Sequence, residues 1–352
     1  MTLAGLFHRG MPRSFIFEVT AQCNLDCLHC YNVWKNAADY PGGQLDTRRT
    51  LGMLESMIRQ MKPRFITLTG GEPFMRHDLA EIVDFIHDRK IAINLISNGS
   101  LISDTVVGQY HGKIRIWELP LLSHRREMHD RLSGGSCVFD RATYAVAALK
   151  AAGQTVVVVF VATALNIDDF RQTAELALAL GADGIMLNRF NPGGRGFAHL
   201  DLLQASPGQL AGLLRQADDF AVESGLGISC SVPIPPCLVD TSPYPHLSFG
   251  YCAAGSPQAY YTLDPMGNVR PCNHSKTILG NINETGMREM LASRTMQRFK
   301  AARPRFCLGC RFEKKCQGNC KAAAEVCYGD PCACEPFLQT FIAQARKPIR
   351  FT

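Results

Sequence analysis

The stretch Cys23-Asn-Leu-Asp-Cys27-Leu-His-Cys30 limits what this chain can be more than any other. It follows an apolar run, Ser14 to Thr20, that reads as a β-strand, so three cysteines share one short loop. Thiolates are soft ligands that suit iron–sulfur clusters or zinc. Three of them on one loop can hold three corners of a four-iron cluster and leave the fourth iron open to N and O donors. A zinc knuckle would need a fourth Cys or His close by, and His29 is the only candidate. It lies between two of the cysteines, where four side chains could hardly converge on one ion. The loop therefore reads as a cluster site.

With His29 before the last cysteine and Tyr31 after it, the pattern resembles the radical S-adenosylmethionine enzymes. That resemblance implies an open iron that chelates the amino and carboxylate groups of S-adenosylmethionine. One electron then breaks a carbon–sulfur bond and releases a 5′-deoxyadenosyl radical, which takes hydrogen from the substrate. The protein's share is binding, orientation and exclusion of side reactions. An electron donor such as flavodoxin or ferredoxin is implied as a partner.

From residue 14 to about 190, β-rich runs alternate with helical stretches. The strand candidates are 14–20, 64–69, 91–97, 113–119, 155–163 and 184–189, separated by helix candidates at 50–61, 78–89, 141–152 and 168–180. Asn166 is placed to cap the last helix and Gly181 to close it. Thr155-Val-Val-Val-Val-Phe-Val reads as a parallel strand buried on both faces. The expected class is α/β: a partial (β/α)6 parallel barrel, with chemistry at the C-terminal ends of its strands and a small cysteine-rich C-terminal domain. The expected divisions are a barrel at 13–200, a Gly- and Pro-rich linker at 201–249, and an auxiliary-cluster domain at 250–340.

Other strand ends carry short motifs. Gly70-Gly71-Glu72-Pro73 follows the second strand, and its glycines permit close backbone approach to a ligand. Beside the cysteine loop it resembles the family's GGEP motif, which binds the methionine amino group. Ser97-Asn98-Gly99 resembles the segment that lines the ribose, with Asn98 as the contact. After the fourth strand, a loop from Glu127 to Arg141 resembles a segment of peptide-modifying members and implies that Arg141 reaches the methionine carboxylate. Relatives often read Ser-Leu-Asp-Gly at the start of that loop; here Glu118-Leu-Pro120-Leu-Leu stands instead.

Past residue 250, Tyr260-Tyr-Thr-Leu, a turn at Asp264-Pro-Met-Gly267, and Val269-Arg-Pro-Cys272 read as a hairpin with Cys252 and Cys272 near its ends. Then come Cys307, Cys310, Cys316 and Cys320. Alone, that last run would suit a four-cysteine zinc site. The whole series resembles the SPASM domain, which carries two auxiliary four-iron clusters. The resemblance implies one cluster on Cys252, Cys272 and Cys320, with Cys237 as a possible fourth ligand. The other would use Cys307, Cys310 and Cys316 plus a late cysteine, for which Cys334 is preferred over Cys327 and Cys332. Should no residue complete the first cluster, its open iron would be free to bind substrate.

Fifteen cysteines would suggest disulfides in a small secreted domain, but a chain of 352 residues without an evident secretion signal is neither, so metal ligation in a reducing cytoplasm is the better account. A net charge of +6 is spread along the chain and argues against nucleic acid. No apolar run approaches the roughly 20 residues needed to span a bilayer, and Met1 to Met11 lacks the apolar core of a signal peptide. The expected enzyme abstracts hydrogen from a ribosomally made peptide to install a crosslink, an epimerisation or another modification. Alternatives are a tetrapyrrole-modifying relative and a sulfatase-maturase-like side-chain oxidase. The oxidase is disfavoured because Asn273 stands where those maturases carry an Asp base, unless His274 has taken the role. An epimerase would need a hydrogen donor such as Cys137 or Cys230. Only about a dozen residues precede the first strand, so recognition of a leader peptide is expected to fall to the barrel or to a separate binding protein.

Overall fold

A computed structural model of the chain describes residues 13–35, 40–256 and 258–345; the Met1–Met11 stretch lies outside them. Six strands, β1 (Ser14–Thr20), β2 (Phe65–Gly70), β3 (Ala92–Ile96), β4 (Ile116–Pro120), β5 (Val156–Ala162) and β6 (Gly184–Arg189), run parallel in chain order. Helices return the chain between them: α1 (Thr47–Met61), α2 (Leu79–Asp88), α3 (Asp104–Gln109), α4 (Arg126–Ser133), α5 (Val138–Ala151) and α6 (Phe170–Ala179). α1 shows why these segments are helical. Asp46 caps it by accepting from the Arg49 amide at 2.9 Å, and Met53, Leu54, Met57 and Met61 make one buried stripe against the sheet.

Three local expectations are corrected. β5 is not buried on both faces: Val156, Val158, Phe160 and Ala162 are buried against helices, while Val159 and Val161 line an internal cavity. The segment from Glu127 to Arg141 is no loop but α4 and the start of α5, hinged at Gly134-Gly135. Asn166 does not cap α6. Its amide donates to the carbonyls of Leu122 (2.6 Å) and Val161 (3.0 Å), and so ties the ends of β4 and β5 together.

Residues 201–249, expected as a linker, continue the sheet. Ser206 and Gln209 form a capping box at the start of α7 (Pro207–Ser224). β7 (Gly227–Cys230) then pairs in parallel with β6, and β8 (Leu247–Phe249) with β7. At the opposite edge, β9 (Tyr261–Leu263) lies parallel to β1, with Phe15 opposite Tyr261, and folds back into β10 (Asn268–Arg270) and the short β11 (Gly280–Asn281). The hairpin is thus part of the barrel sheet, which has eleven strands among the described residues. A fully buried ion pair between Arg270 on β10 and Glu18 on β1 joins the two.

Candidate active site

The cysteine loop leaves β1 at the C-terminal end of the sheet and is clasped from three sides. From β2, the amides of Gly71 and Glu72 donate to the carbonyls of Thr20 and Gln22, both at 2.8 Å. From α4, the Leu132 carbonyl accepts from the Leu28 amide at 2.9 Å. Beyond β6, the Gly196 amide donates to the Cys30 carbonyl at 2.9 Å, while Arg195 pairs with Asp26. Two of these approaches need glycine. A β-carbon at Gly71 would overlap the Gln22 carbonyl, and one at Gly134 (φ +65°) would overlap that of Asp26. The GGEP glycines therefore let the turn press against the cysteine loop itself, where the sequence suggested approach to a ligand.

Glu72 is wholly buried. Its carboxylate accepts from the Ser97 hydroxyl (2.8 Å) and the Asn98 amide (2.8 Å), which brackets the β2 and β3 turns together. Burial pushes its pKa up to about 7 despite those bonds. The Asn98 side chain donates to Asn24 within the cysteine loop at 2.9 Å. Arg141 is exposed on the first turn of α5. Burial pushes the Cys27 thiol up to about 12, with the neighbouring Cys30 and Cys23 adding to the shift. Among the described residues, no three Cys, His, Asp or Glu side chains converge tightly enough to chelate a single ion. Three cysteines on one short loop are a soft donor set, the chemistry that suits an iron–sulfur cluster.

Below this loop a cavity of about 450 Å³ runs through the barrel. His29 and Tyr31 line it on the cysteine-loop side, and Cys252, Cys272 and Cys320 line it where the C-terminal segment packs. The expected first auxiliary set is therefore assembled, and it faces the same space as the cysteine loop. Burial pushes the Cys272 thiol up, with Cys320 and Cys252 contributing. Asn273 donates to the Tyr31 hydroxyl at 3.0 Å, and His274 packs on the Tyr31 ring with centroids 4.2 Å apart. Burial lowers His274 to about 3, so it is a poor base at neutral pH. Neither Cys137, exposed at the start of α5, nor Cys230, buried in β7, is among the residues lining the cavity.

Cys237 is corrected. It lies with Cys307, Cys310 and Cys316 around a pocket of about 20 Å³, apart from Cys252, Cys272 and Cys320. Arg189, at the end of β6, explains the placement. Its Nε donates to the Pro233 carbonyl at 2.7 Å and its Nη2 to Glu335 at 2.7 Å, so the Pro233–Cys237 segment is held beside the late cysteines. Cys334 adjoins Cys237 and Cys307, whereas Cys327, on α8 (Lys321–Tyr328), adjoins Cys320, and Cys332 is exposed.

The sequence reading passed over two cavity residues, Asn94 on β3 and Glu118 on β4. The signal was there: each is a polar residue inside an otherwise apolar parallel strand.

The open parallel sheet carries the cysteine loop at the C-terminal end of β1, and His29 and Tyr31 of that loop share one cavity with Cys252, Cys272 and Cys320. Residues 17–177 match the radical SAM superfamily, and residues 252–321 match SPASM, an iron–sulfur cluster-binding domain. The chain therefore carries a radical SAM domain followed by a SPASM domain. The AdoMet-dependent heme synthase of Methanosarcina barkeri is 26% identical over 93% of this chain and 96% of its own. Mycofactocin maturase MftC of Mycolicibacterium smegmatis is 26% identical over 90% of this chain and 80% of its own. Streptococcus suis SuiB bound to the precursor peptide SuiA shares the fold, with a TM-score of 0.71 at 17% identity over 90% of this chain and 73% of that one.

Proposed function

We propose that this enzyme cleaves S-adenosylmethionine reductively and abstracts hydrogen from a ribosomally made peptide to install a crosslink, an epimerisation or another modification. The observation that carries this reading is one cavity lined both by His29 and Tyr31 of the cysteine loop and by Cys252, Cys272 and Cys320. A peptide segment in that space would lie between two clusters. The maturase MftC and the SuiA-bound SuiB supply the analogy.

Cys23, Cys27 and Cys30 would hold the active-site cluster, and Cys252, Cys272 and Cys320 one auxiliary cluster. Cys307, Cys310 and Cys316 would hold the other, with Cys237 or Cys334 as fourth ligand. Bound cluster and S-adenosylmethionine supply the electron and the 5′-deoxyadenosyl radical. The chain's own residues position and enclose them. The GGEP turn, Gly70 to Pro73, would face the methionine ammonium, with the Glu72 carboxylate held in place by Ser97 and Asn98. Asn98 would meet the ribose and Arg141 the carboxylate.

The heme synthase relative supports a tetrapyrrole as a second reading. A tetrapyrrole's carboxylates would need cations, and the two strong cations lining the cavity are already engaged: Arg189 with Glu335, and Lys321 with the Lys300 carbonyl at 2.7 Å. The peptide is therefore favoured. Side-chain oxidation of the sulfatase-maturase type lacks a base at Asn273 and His274.

Electron delivery by a flavodoxin or ferredoxin, a separate leader-peptide-binding partner and a cytoplasmic location complete the proposal. All fifteen cysteines are free, as a reducing compartment would keep them. No helix among the described residues is long and apolar enough to cross a membrane. The test is co-expression with short genes neighbouring its own, followed by mass spectrometry of the peptides. A peptide mass change that depends on Cys23, Cys27 and Cys30 is expected. Conversion of a tetrapyrrole with every peptide unaltered would overturn the reading.

A further inference from the structure

β3 and β4 each place one unpartnered polar side chain on the cavity wall. The Asn94 Oδ1 is buried and accepts no hydrogen bond. Glu118 is 9% exposed, and burial alone perturbs it, with no cation or hydrogen-bond donor contributing. Glu118 lies opposite Ile96 in the β3–β4 pairing, and Asn94 is two residues before Ile96 on the same face. The two acceptors therefore stand one step apart on adjoining strands.

Among the described residues, no side chain satisfies them. Ile96 and Val157, opposite Glu118 on the flanking strands, are apolar. On the other walls, Arg189 is paired with Glu335 and Lys321 donates to the Lys300 carbonyl. The tyrosines and cysteines lining the cavity carry no positive charge. Buried acceptors in native proteins almost always have donors, and an exception in a cavity points to a ligand that brings one.

We propose that Glu118 and Asn94 form a subsite for a cationic, hydrogen-bond-donating group of the substrate, an alkylammonium or guanidinium such as a lysine or arginine side chain carries. The proposal rests on the peptide reading and narrows it to a peptide with a basic residue inside the barrel. Burial pushes Glu118 up to about 7, so near that pH an arriving cation should drive a proton off the carboxyl.

The test is isothermal titration calorimetry on the anaerobically purified, cluster-loaded full chain. The probes are N-acetylated, C-amidated tripeptides Ala-Lys-Ala, Ala-Gln-Ala and Ala-Glu-Ala, titrated at pH 7 in two buffers of different ionisation enthalpy. The lysine peptide should bind at least about tenfold tighter than the other two, or roughly 1.4 kcal/mol, and release about half a proton. Glu118→Gln should abolish both the preference and the proton release, and Asn94→Ala should weaken the preference. Iron content and visible absorption check that the variants keep their clusters. A lysine preference that survives Glu118→Gln, or no lysine preference at all, overturns the subsite while leaving the peptide reading to its own mass-spectrometric test. A tetrapyrrole that binds where all three peptides fail would overturn both.

Discussion

Arg189 at the end of β6 and Glu335 form an ion pair at 2.7 Å, with side chains 3% and 0% exposed. The pair joins the barrel to the residue after Cys334, and the same guanidinium holds the Pro233 carbonyl. Both cysteine sets beyond the barrel depend on where this segment lies. Removing one partner of a buried pair leaves the other charge uncompensated, at a cost of roughly 3–5 kcal/mol. We expect Glu335→Ala to lower thermal stability by that order and to loosen iron held by the Cys307 set. Differential scanning calorimetry with iron analysis checks it, and wild-type values for both would refute the tie.

Gly71 should be a structural requirement of the cysteine loop before it is a cofactor contact. Any β-carbon there meets the Gln22 carbonyl, so even Gly71→Ala must displace the loop. We expect loss of the active-site cluster, about a third of the iron if three four-iron clusters are present. A variant with full iron and only weakened S-adenosylmethionine binding would show that the turn yields instead.

Cys237 separates the two auxiliary sets. If Cys307, Cys310 and Cys316 hold one auxiliary cluster and Cys252, Cys272 and Cys320 another, as proposed, Cys237→Ser should change the spectrum of the first and leave the second unaltered. Electron paramagnetic resonance of the reduced protein, compared with Cys252→Ser, decides it. Identical spectral changes in the two variants would put Cys237 back with Cys252.

Glu118 also predicts a pH-dependent stability. Its folded pKa of about 7 lies above the ordinary value of 4.5, so the native state holds its proton longer than the unfolded chain does. The resulting penalty is absent below pH 4.5, grows through the window from 4.5 to 7, and is complete above 7. Glu118→Gln should therefore stabilise the substrate-free protein by up to about 3 kcal/mol at pH 8 and leave it unchanged at pH 4. Denaturant unfolding at the two pH values measures this, and an equal effect at both would rule out titration as the cause.

Asn273 is a neutral amide that donates to the Tyr31 hydroxyl, and burial lowers His274 to about 3 and makes its imidazole a weak base, so neither is suited to take the proton. Asn273→Asp should leave the identity of the product unchanged. A carbonyl formed from a Cys or Ser side chain of the substrate, seen by mass spectrometry of the native product, would contradict this.

Cysteine spacing and strand periodicity were enough to announce the barrel, the cysteine loop and the series from Cys252 to Cys320. Ligand spacing is local, and alternation of apolar strands with amphipathic helices is read directly along the chain. The β7–β8 continuation stayed hidden because those strands are four and three residues long, too short for a period to register. The companions of Cys237 depended on Arg189 holding Pro233 and Glu335, residues 44 and 146 positions away. The role of Gly71 lay in the backbone it presses against, and that of Glu118 in having no partner at all. Such relations are set by which groups three-dimensional packing brings together or keeps apart, so only the folded chain could decide them.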